Sequence, residues 1–277
     1  MKSLRIGFLG GGNIARALIG GLIARGTPAS LISVGEPFET AREQLLRDFK
    51  VQASADNRRA IQGCALIILA VKPQEAAKVL QPLAAPLQGA RPVLLSVAAG
   101  IRIAALSAWV GAGVPIVRAM PNRAALIGAG VSGLHAAPGL TEAERSLAEQ
   151  ALQAAGQTVW VAREADLDAV TALSGSGPAY FFLLAELMMQ AAIAQGLAPE
   201  AARRLAVGTL HGAGALAAAS DGDLARLRQE VTSKGGTTEA ALGVFTAADF
   251  AGTVGRALEA ATRRSRELAD QFGTSST

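Results

Sequence analysis

The chain has 277 residues, 51% of them hydrophobic and only 4% aromatic, so its cores are built from Ala, Leu, Val and Ile at a length that fits two domains or one large one. The net charge is +4, with 21 of the 26 basic residues Arg, but no basic run exceeds a pair such as Arg263-Arg264 and Tyr180 is the only tyrosine. That excludes the clustered basic face with stacking aromatics that a nucleic-acid surface needs.

One cysteine, Cys64, precludes an internal disulfide, and its apolar neighbours point to a buried thiol. His135 and His211 lie far apart with no carboxylate or thiol at ligand spacing, so no metal site is expected. The N-terminus runs straight into a strand pattern without a signal peptide. The longest apolar stretch, residues 178–195, is interrupted by Glu186 and Gln190 and reads as a buried helix and not as a membrane span. A cytoplasmic protein without a membrane or nucleic-acid partner is expected.

In chain order, Leu4-Arg5-Ile6-Gly7-Phe8-Leu9 is a buried first strand, followed at once by Gly10-Gly11-Gly12-Asn13-Ile14-Ala15 and a helical apolar face that stops at Gly26. This is a G-x-G-x-x-A turn between strand and helix. Gly10 permits the tight turn, Gly12 lets the backbone approach a pyrophosphate, and Ala15 allows close helix–strand packing, so a dinucleotide site is expected here. A second strand at residues 31–34 ends at Gly35-Glu36. Glu36 stands where an acid hydrogen-bonds the adenosine ribose and repels a 2′-phosphate; it also fits a solvated loop acid. Thr40 and Glu43 read as a capping box.

Residues 65–71 form a continuous apolar run, as in a central parallel strand buried on both faces, and end in Lys72-Pro73-Gln74 at the carboxyl edge where ligands gather. Residues 92–97 and 115–119 repeat the pattern, the latter leading into Met120-Pro121-Asn122. A Gly-rich strand at 127–134, a helix capped by Thr141 and Glu144, and a short strand at 158–161 complete a doubly wound α/β domain.

Strand signals then stop. Leu173-Ser174-Gly175-Ser176-Gly177-Pro178 is a small-residue junction, with Pro178 placed as a first helical residue and Ser176 or Gly177 as its cap. Residues 181–193 are apolar almost all round, and residues 199–219 and 249–272 read as long Ala-rich helices. So little chain barely encloses such a helix alone, and a partner subunit wrapping it is the simpler solution. Residues 274–277 read as a disordered tail. Between two helical patterns lies Val231-Thr232-Ser233-Lys234-Gly235-Gly236-Thr237-Thr238. Its glycines let consecutive N–H groups converge on an anion, with Thr237 or Thr238 as cap of the following helix.

These stretches carry a resemblance over nearly the whole chain. Gly7-Phe8-Leu9-Gly10-Gly11-Gly12-Asn13, Ala70-Val71-Lys72-Pro73-Gln74, Arg118-Ala119-Met120-Pro121-Asn122, Ala172-Leu173-Ser174-Gly175-Ser176-Gly177-Pro178-Ala179-Tyr180 and the 231–238 stretch stand in the order and spacing of pyrroline-5-carboxylate reductases. The resemblance implies a Rossmann-type doubly wound domain (residues 1–163) followed by an all-α substrate-binding and dimerisation domain (residues 164–277). It implies an interleaved homodimer, in many members a ring of dimers. It also implies hydride transfer from NADPH or NADH to the cyclic imine 1-pyrroline-5-carboxylate, giving L-proline.

By the same resemblance, Asn13, Asn57, Ala70, Lys72, Pro73, Ala98 and Asn122 line the cofactor cleft, with Gly10, Gly12, Ile14, Glu36 and Val71 completing it. Ser176 and Gly177 border the substrate. Ser233, Gly235, Gly236, Thr237 and Thr238 hold its carboxylate, with Thr238 matching the threonine at the imine nitrogen. Lys72 fits a proton donor, a partner of Asp221, or a cofactor phosphate contact. The family usually has Pro at Lys234 and Thr-Pro at Arg123-Ala124, and Glu36 departs from residues suited to a 2′-phosphate. A β-hydroxyacid dehydrogenase is the nearest rival, but it needs a lysine on a long helix, and the only lysine after Lys78 is Lys234. A non-catalytic dinucleotide sensor would have no use for the 231–238 stretch.

Overall fold

The computed structural model describes residues 3–274. The chain packs as two units, one formed by residues up to Gly175 together with those from Ala261 onward, the other by Ser176–Ala260.

The first unit alternates strands and helices: β1 (Ile6–Leu9), α1 (Asn13–Ala24), β2 (Ile32–Gly35), α2 (Glu39–Phe49), β3 (Gln52–Ser54), α3 (Asn57–Ile61), β4 (Leu66–Leu69), α4 (Ala76–Leu80), α5 (Ala84–Ala90), β5 (Val93–Ser96), α6 (Ile103–Val110), β6 (Ile116–Met120), β7 (Gly130–Ala136), α7 (Glu142–Gln153), β8 (Gly156–Trp160) and α8 (Asp166–Val170). The sheet order is β3-β2-β1-β4-β5-β6-β7-β8. Every neighbouring pair is parallel except β6 and β7. A helical crossover carries each parallel strand back to the same edge, whereas only the short 3-10 turn Arg123–Ile127 joins β6 to β7 and reverses the chain. This is the doubly wound, Rossmann-type arrangement that the alternating pattern predicts.

Strand periodicity splits the core into two layers. Ile6, Phe8, Ile32, Val34, Leu66, Ile68, Val93 and Leu95 face α1, α2 and α7, while Leu9, Ile67, Leu69, Leu94 and Ile116 face Leu80, Leu87, Leu106 and Trp109. Cys64 is buried beside Ser33, and burial pushes its thiol above the usual range.

Three local expectations change, and one next to them holds. β3 is an additional edge strand, too short for its three residues to show a period. The helix expected to open at Thr40 begins at Glu39 with Phe38 at its N-cap, which moves the Thr40 hydroxyl out of capping position, so no capping box forms there. At Thr141 the box is complete: the Thr141 hydroxyl accepts from the Glu144 N–H, and the Glu144 carboxylate accepts from the Thr141 N–H. The Gly-rich strand starts at Gly130, because residues 123–127 turn instead and Gly128 closes that turn at φ +74°.

The second unit is helical: α9 (Gly177–Ala194), α10 (Pro199–Ala219), α11 (Leu224–Glu230), α12 (Thr237–Ala247) and the start of α13 (Phe250–Thr274). Pro178 and Pro199 sit in the first turns of their helices, where the helix itself needs no N–H from them. Only Gly177 and Ala202 are buried in this unit, and Phe181, Phe182, Leu183 and Leu187 of α9 are 60%, 61%, 55% and 52% exposed. The apolar helix is therefore not enclosed by its own chain. The C-terminal part of α13 belongs to the first unit, where the Ser265 hydroxyl donates to the buried Asp168 carboxylate at 2.7 Å. Thr274, expected in the tail, ends that helix; residues 275–277 lie outside the described residues.

Candidate dinucleotide cleft and carboxylate loop

Parallel pairing puts the carboxyl ends of four strands level, with Leu9 paired to Gly35 and to Leu69 and Leu69 to Ser96, while Ser96 pairs with Arg118 and β6 runs two residues further. The residues following those ends are the ones expected to hold a cofactor. After β1, Gly10 adopts φ +95°, and a Cβ there would lie 2.9 Å from the Ala70 carbonyl and from Val71 Cγ1. Only glycine combines that φ with that closeness. Gly12 is the N-cap of α1, and a Cβ on it would meet nothing within 4 Å. The first N–H groups of α1 have no partner within the helix, and the open space at Gly12 leaves room for an anion to approach that end. The residues present fit a dinucleotide.

Glu36, after β2, is only 8% exposed. Its Oε2 accepts from the Gly11 N–H at 2.9 Å and its Oε1 from the Phe38 N–H at 3.1 Å, so the carboxylate is fixed against the glycine turn and is not a solvated loop acid. Arg42 donates to the carbonyls of Glu36 and Pro37 and braces the same loop. Asn57 opens α3, and a Cβ on Gly35 would overlap its Oδ1; Gly35 is thus needed to let Asn57 lie against the end of β2. Ala70, Val71, Lys72 and Pro73 follow β4, with Pro73 in the first turn of a short 3-10 helix. Ala98 follows β5, and Asn122 follows β6; both are buried. The structure thus brings the sequence-predicted cofactor residues together along one edge of the sheet. Among the described residues no group of three His, Cys, Asp or Glu side chains stands at metal-holding distance.

The 233–238 loop belongs to the second unit, whose first residues are Ser176 and Gly177. Gly235 takes φ +73°, the Gly236 N–H donates to the Ser233 carbonyl, and α12 begins at Thr237. The N-cap is Gly236 and no side chain caps the helix, so neither Thr237 nor Thr238 performs that task. Thr237 is already the first helical residue, and this leaves the hydroxyls free for other partners. Glu239 reaches back instead: its Oε2 accepts from the Gly235 N–H at 2.7 Å. The loop therefore already binds a carboxylate, supplied by its own chain. Asp221 pairs with Arg226 at 2.9 Å, which gives it a partner other than Lys72.

Two buried polar residues of the Arg118–Asn122 motif make contacts that the motif reading does not give. Arg118 is 3% exposed and is neutralised by Glu164 at 3.0 Å, whose carboxylate also accepts from the Ile103 N–H. The Asn122 amide bridges two backbone segments. A lone Arg inside an apolar strand was the available signal for the first; the second has none.

Comparison with known proteins matches this division of labour. Residues 5–100 fit the family described as NADP oxidoreductase coenzyme F420-dependent, and residues 164–268 fit the one described as pyrroline-5-carboxylate reductase dimerisation. A pyrroline-5-carboxylate reductase of Pseudomonas aeruginosa is 44% identical, covering 99% of this chain and 100% of that one. The chain belongs to the pyrroline-5-carboxylate reductase family. The reductase of Haemophilus influenzae is 41% identical, covering 98% of this chain and all of its own. The solved structure of a family member from Coxiella burnetii superposes with a TM-score of 0.93 at 36% identity, over 96% of this chain and 99% of that one. A pyrroline carboxylate reductase from Plasmodium falciparum with NADP bound gives 0.83 at 27%, over 97% and 99%. As a member of this family the chain is an NAD(P)H-dependent oxidoreductase acting on a C=N bond.

Proposed function

We propose that this enzyme reduces 1-pyrroline-5-carboxylate to L-proline in the last step of proline formation, with the cofactor held at the sheet edge and the substrate carboxylate held by the 233–238 loop. The observation that carries the reading is that identity to reductases of this name runs through the whole chain, so the glycine turn and the carboxylate loop both lie inside it.

The chemistry asks little of the protein beyond alignment. A protonated imine carbon is already electrophilic, and reaction requires the donor carbon within about 3–3.5 Å of it. Bound NADH or NADPH supplies the hydride. Gly10, Gly12, Asn13 and Ile14 would hold its pyrophosphate, and Glu36, Asn57, Ala70, Val71, Lys72, Pro73, Ala98 and Asn122 would shape the rest of the cleft. In the second unit the backbone N–H of Gly235, with Ser233, Gly236 and Thr237 around it, takes the substrate carboxylate in place of Glu239. The Thr238 hydroxyl orients the imine nitrogen and passes its proton, and Ser176 and Gly177 bound the pocket. Glu36 stands where a 2′-phosphate would lie, so NADH is the better donor for this member.

The exposed face of α9 is the surface of an interleaved homodimer. Residues 166–194 are apolar enough in length and hydropathy to cross a membrane, yet the run contains Glu186 hydrogen-bonded to Gln190, and family members match here as a dimerisation region. A cytoplasmic dimer, or a ring of dimers, buries the face without lipid.

Thr238→Ala tests the assignment of the loop. Turnover should fall at least tenfold while the Kd for NADH stays within twofold; parallel loss of cofactor binding would remove the loop from the substrate site.

A further inference from the structure

Asn122 and Pro178 lie in two separate motifs of the sequence, and one hydrogen bond connects their consequences. The chain between α8 and α9 widens into a π-helical turn, Thr171–Gly175. Such turns leave carbonyls without their usual helical donors and occur often at functional sites. Here the shortage is specific. The helical partner of the Ser174 carbonyl would be the N–H four residues on, at Pro178, and proline has none. The next N–H, that of Ala179, donates to Ser176. Asn122 supplies the missing donor: its Nδ2 donates to the Ser174 carbonyl at 3.2 Å, while its Oδ1 accepts from the Val131 N–H at 3.2 Å. The side chain is 8% exposed, so water does not compete freely for these groups.

The turn is also pressed onto the sheet. A Cβ on Gly175 would lie 2.7 Å from Met120 Cε, a Cβ on Gly133 would lie 2.6 Å from Val170 Cγ1, and Ala172 is buried. Thr171 and Ser174 return their hydroxyls to the carbonyls of Leu167 and Val170. One amide therefore fixes the end of β6, the start of β7 and the last turn before Ser176.

We infer that Asn122 is a positioning residue for the substrate: by giving Ser174 the donor that Pro178 withholds, it sets the course of the backbone that delivers Ser176 and Gly177. This rests on the proposed placement of those two residues beside the substrate. It is a role additional to lining the cofactor cleft.

Three variants of the full-length enzyme test it. Asn122→Asp keeps an acceptor for Val131 but offers Ser174 no donor, and Asn122→Ala removes both bonds. The double variant Asn122→Ala with Pro178→Ala restores an N–H four residues beyond Ser174. Both single variants should raise the KM for pyrroline-5-carboxylate at least tenfold, well beyond any change in the Kd for NADH that the loss of a cleft residue brings, and speed amide exchange across residues 171–177. The double variant should recover at least half of that KM change on a logarithmic scale. Unchanged exchange in the single variants would overturn the tether itself. Faster exchange with an unchanged KM would instead take Ser176 and Gly177 out of the substrate pocket and end the positioning role. A KM loss accompanied by an equal loss of NADH affinity would make Asn122 a cofactor contact only. Should the single variants not fold, a folded double variant with near-normal KM supports the inference, and an unfolded one overturns it.

Discussion

Glu36 shows how one side chain departs from what its position in the sequence leaves open. As a letter after the second strand it fits a ribose ligand or a loop acid; in the fold, two backbone N–H groups hold it against the glycine turn. A fixed carboxylate cannot swing away from a 2′-phosphate, and like charges in a partly desolvated cleft repel strongly. Glu36→Ser should therefore shift the ratio of kcat/KM for NADPH over NADH upward by about tenfold, roughly 1.4 kcal/mol. An unchanged ratio, read from initial rates with each cofactor, would detach Glu36 from cofactor choice. Glu239 carries the complementary lesson. The Gly-Gly turn was legible because only glycine suits such a turn, but an acid three residues into the next helix reads as an ordinary first-turn Glu. Nothing in the spacing tells that its carboxylate oxygen accepts from the loop's own N–H and not from solvent.

At the scale of single elements, hydrophobic period and start signals decide. The buried strands announced themselves as continuous Leu, Ile and Val runs, because a parallel strand covered on both faces needs apolar residues at every position. β3 did not, since it lies at the sheet edge, where the only demand is a few backbone hydrogen bonds. The two candidate capping boxes separate in the same way. Thr141 sits one residue before its helix and Thr40 sits inside its own, a shift of two positions that propensity does not resolve. Thr141→Ala removes the acceptor for the Glu144 N–H and should cost about 0.5–2 kcal/mol of stability, seen as a lower denaturant midpoint at unchanged slope. The same change at Thr40, which caps nothing, should stay within about 0.5 kcal/mol. Equal effects at the two sites would contradict the helix start assigned to α2.

For the molecule as a whole, the strands end at Trp160, while the first unit runs on to Gly175 and includes the residues from Ala261 onward. The helical unit has almost no interior, as the shortage of chain around its apolar helix already implied. Apolar residues all round α9 read as a buried helix, yet the chain itself buries only Gly177 and Ala202 there. In the proposed homodimer the missing cover comes from another copy, which removes from water an apolar surface of a kind that usually marks an interaction site. Purified without detergent, the enzyme should sediment as a dimer or a multiple of it. Leu187→Glu or Phe182→Glu should shift it to monomer and abolish activity, because a buried unpaired carboxylate costs several kcal/mol. Dimeric mass retained in both variants would move the interface off α9.

The central claim is that the glycine turn of one unit and the carboxylate loop of the other serve a single reaction. The direct test is to supply 1-pyrroline-5-carboxylate with NADH or NADPH and follow both loss of reduced cofactor and formation of proline. One proline should appear for each NAD(P)H consumed, and Thr238→Ala should slow both together. Folded, dimeric enzyme that binds NADH yet forms no proline with either cofactor would contradict the account.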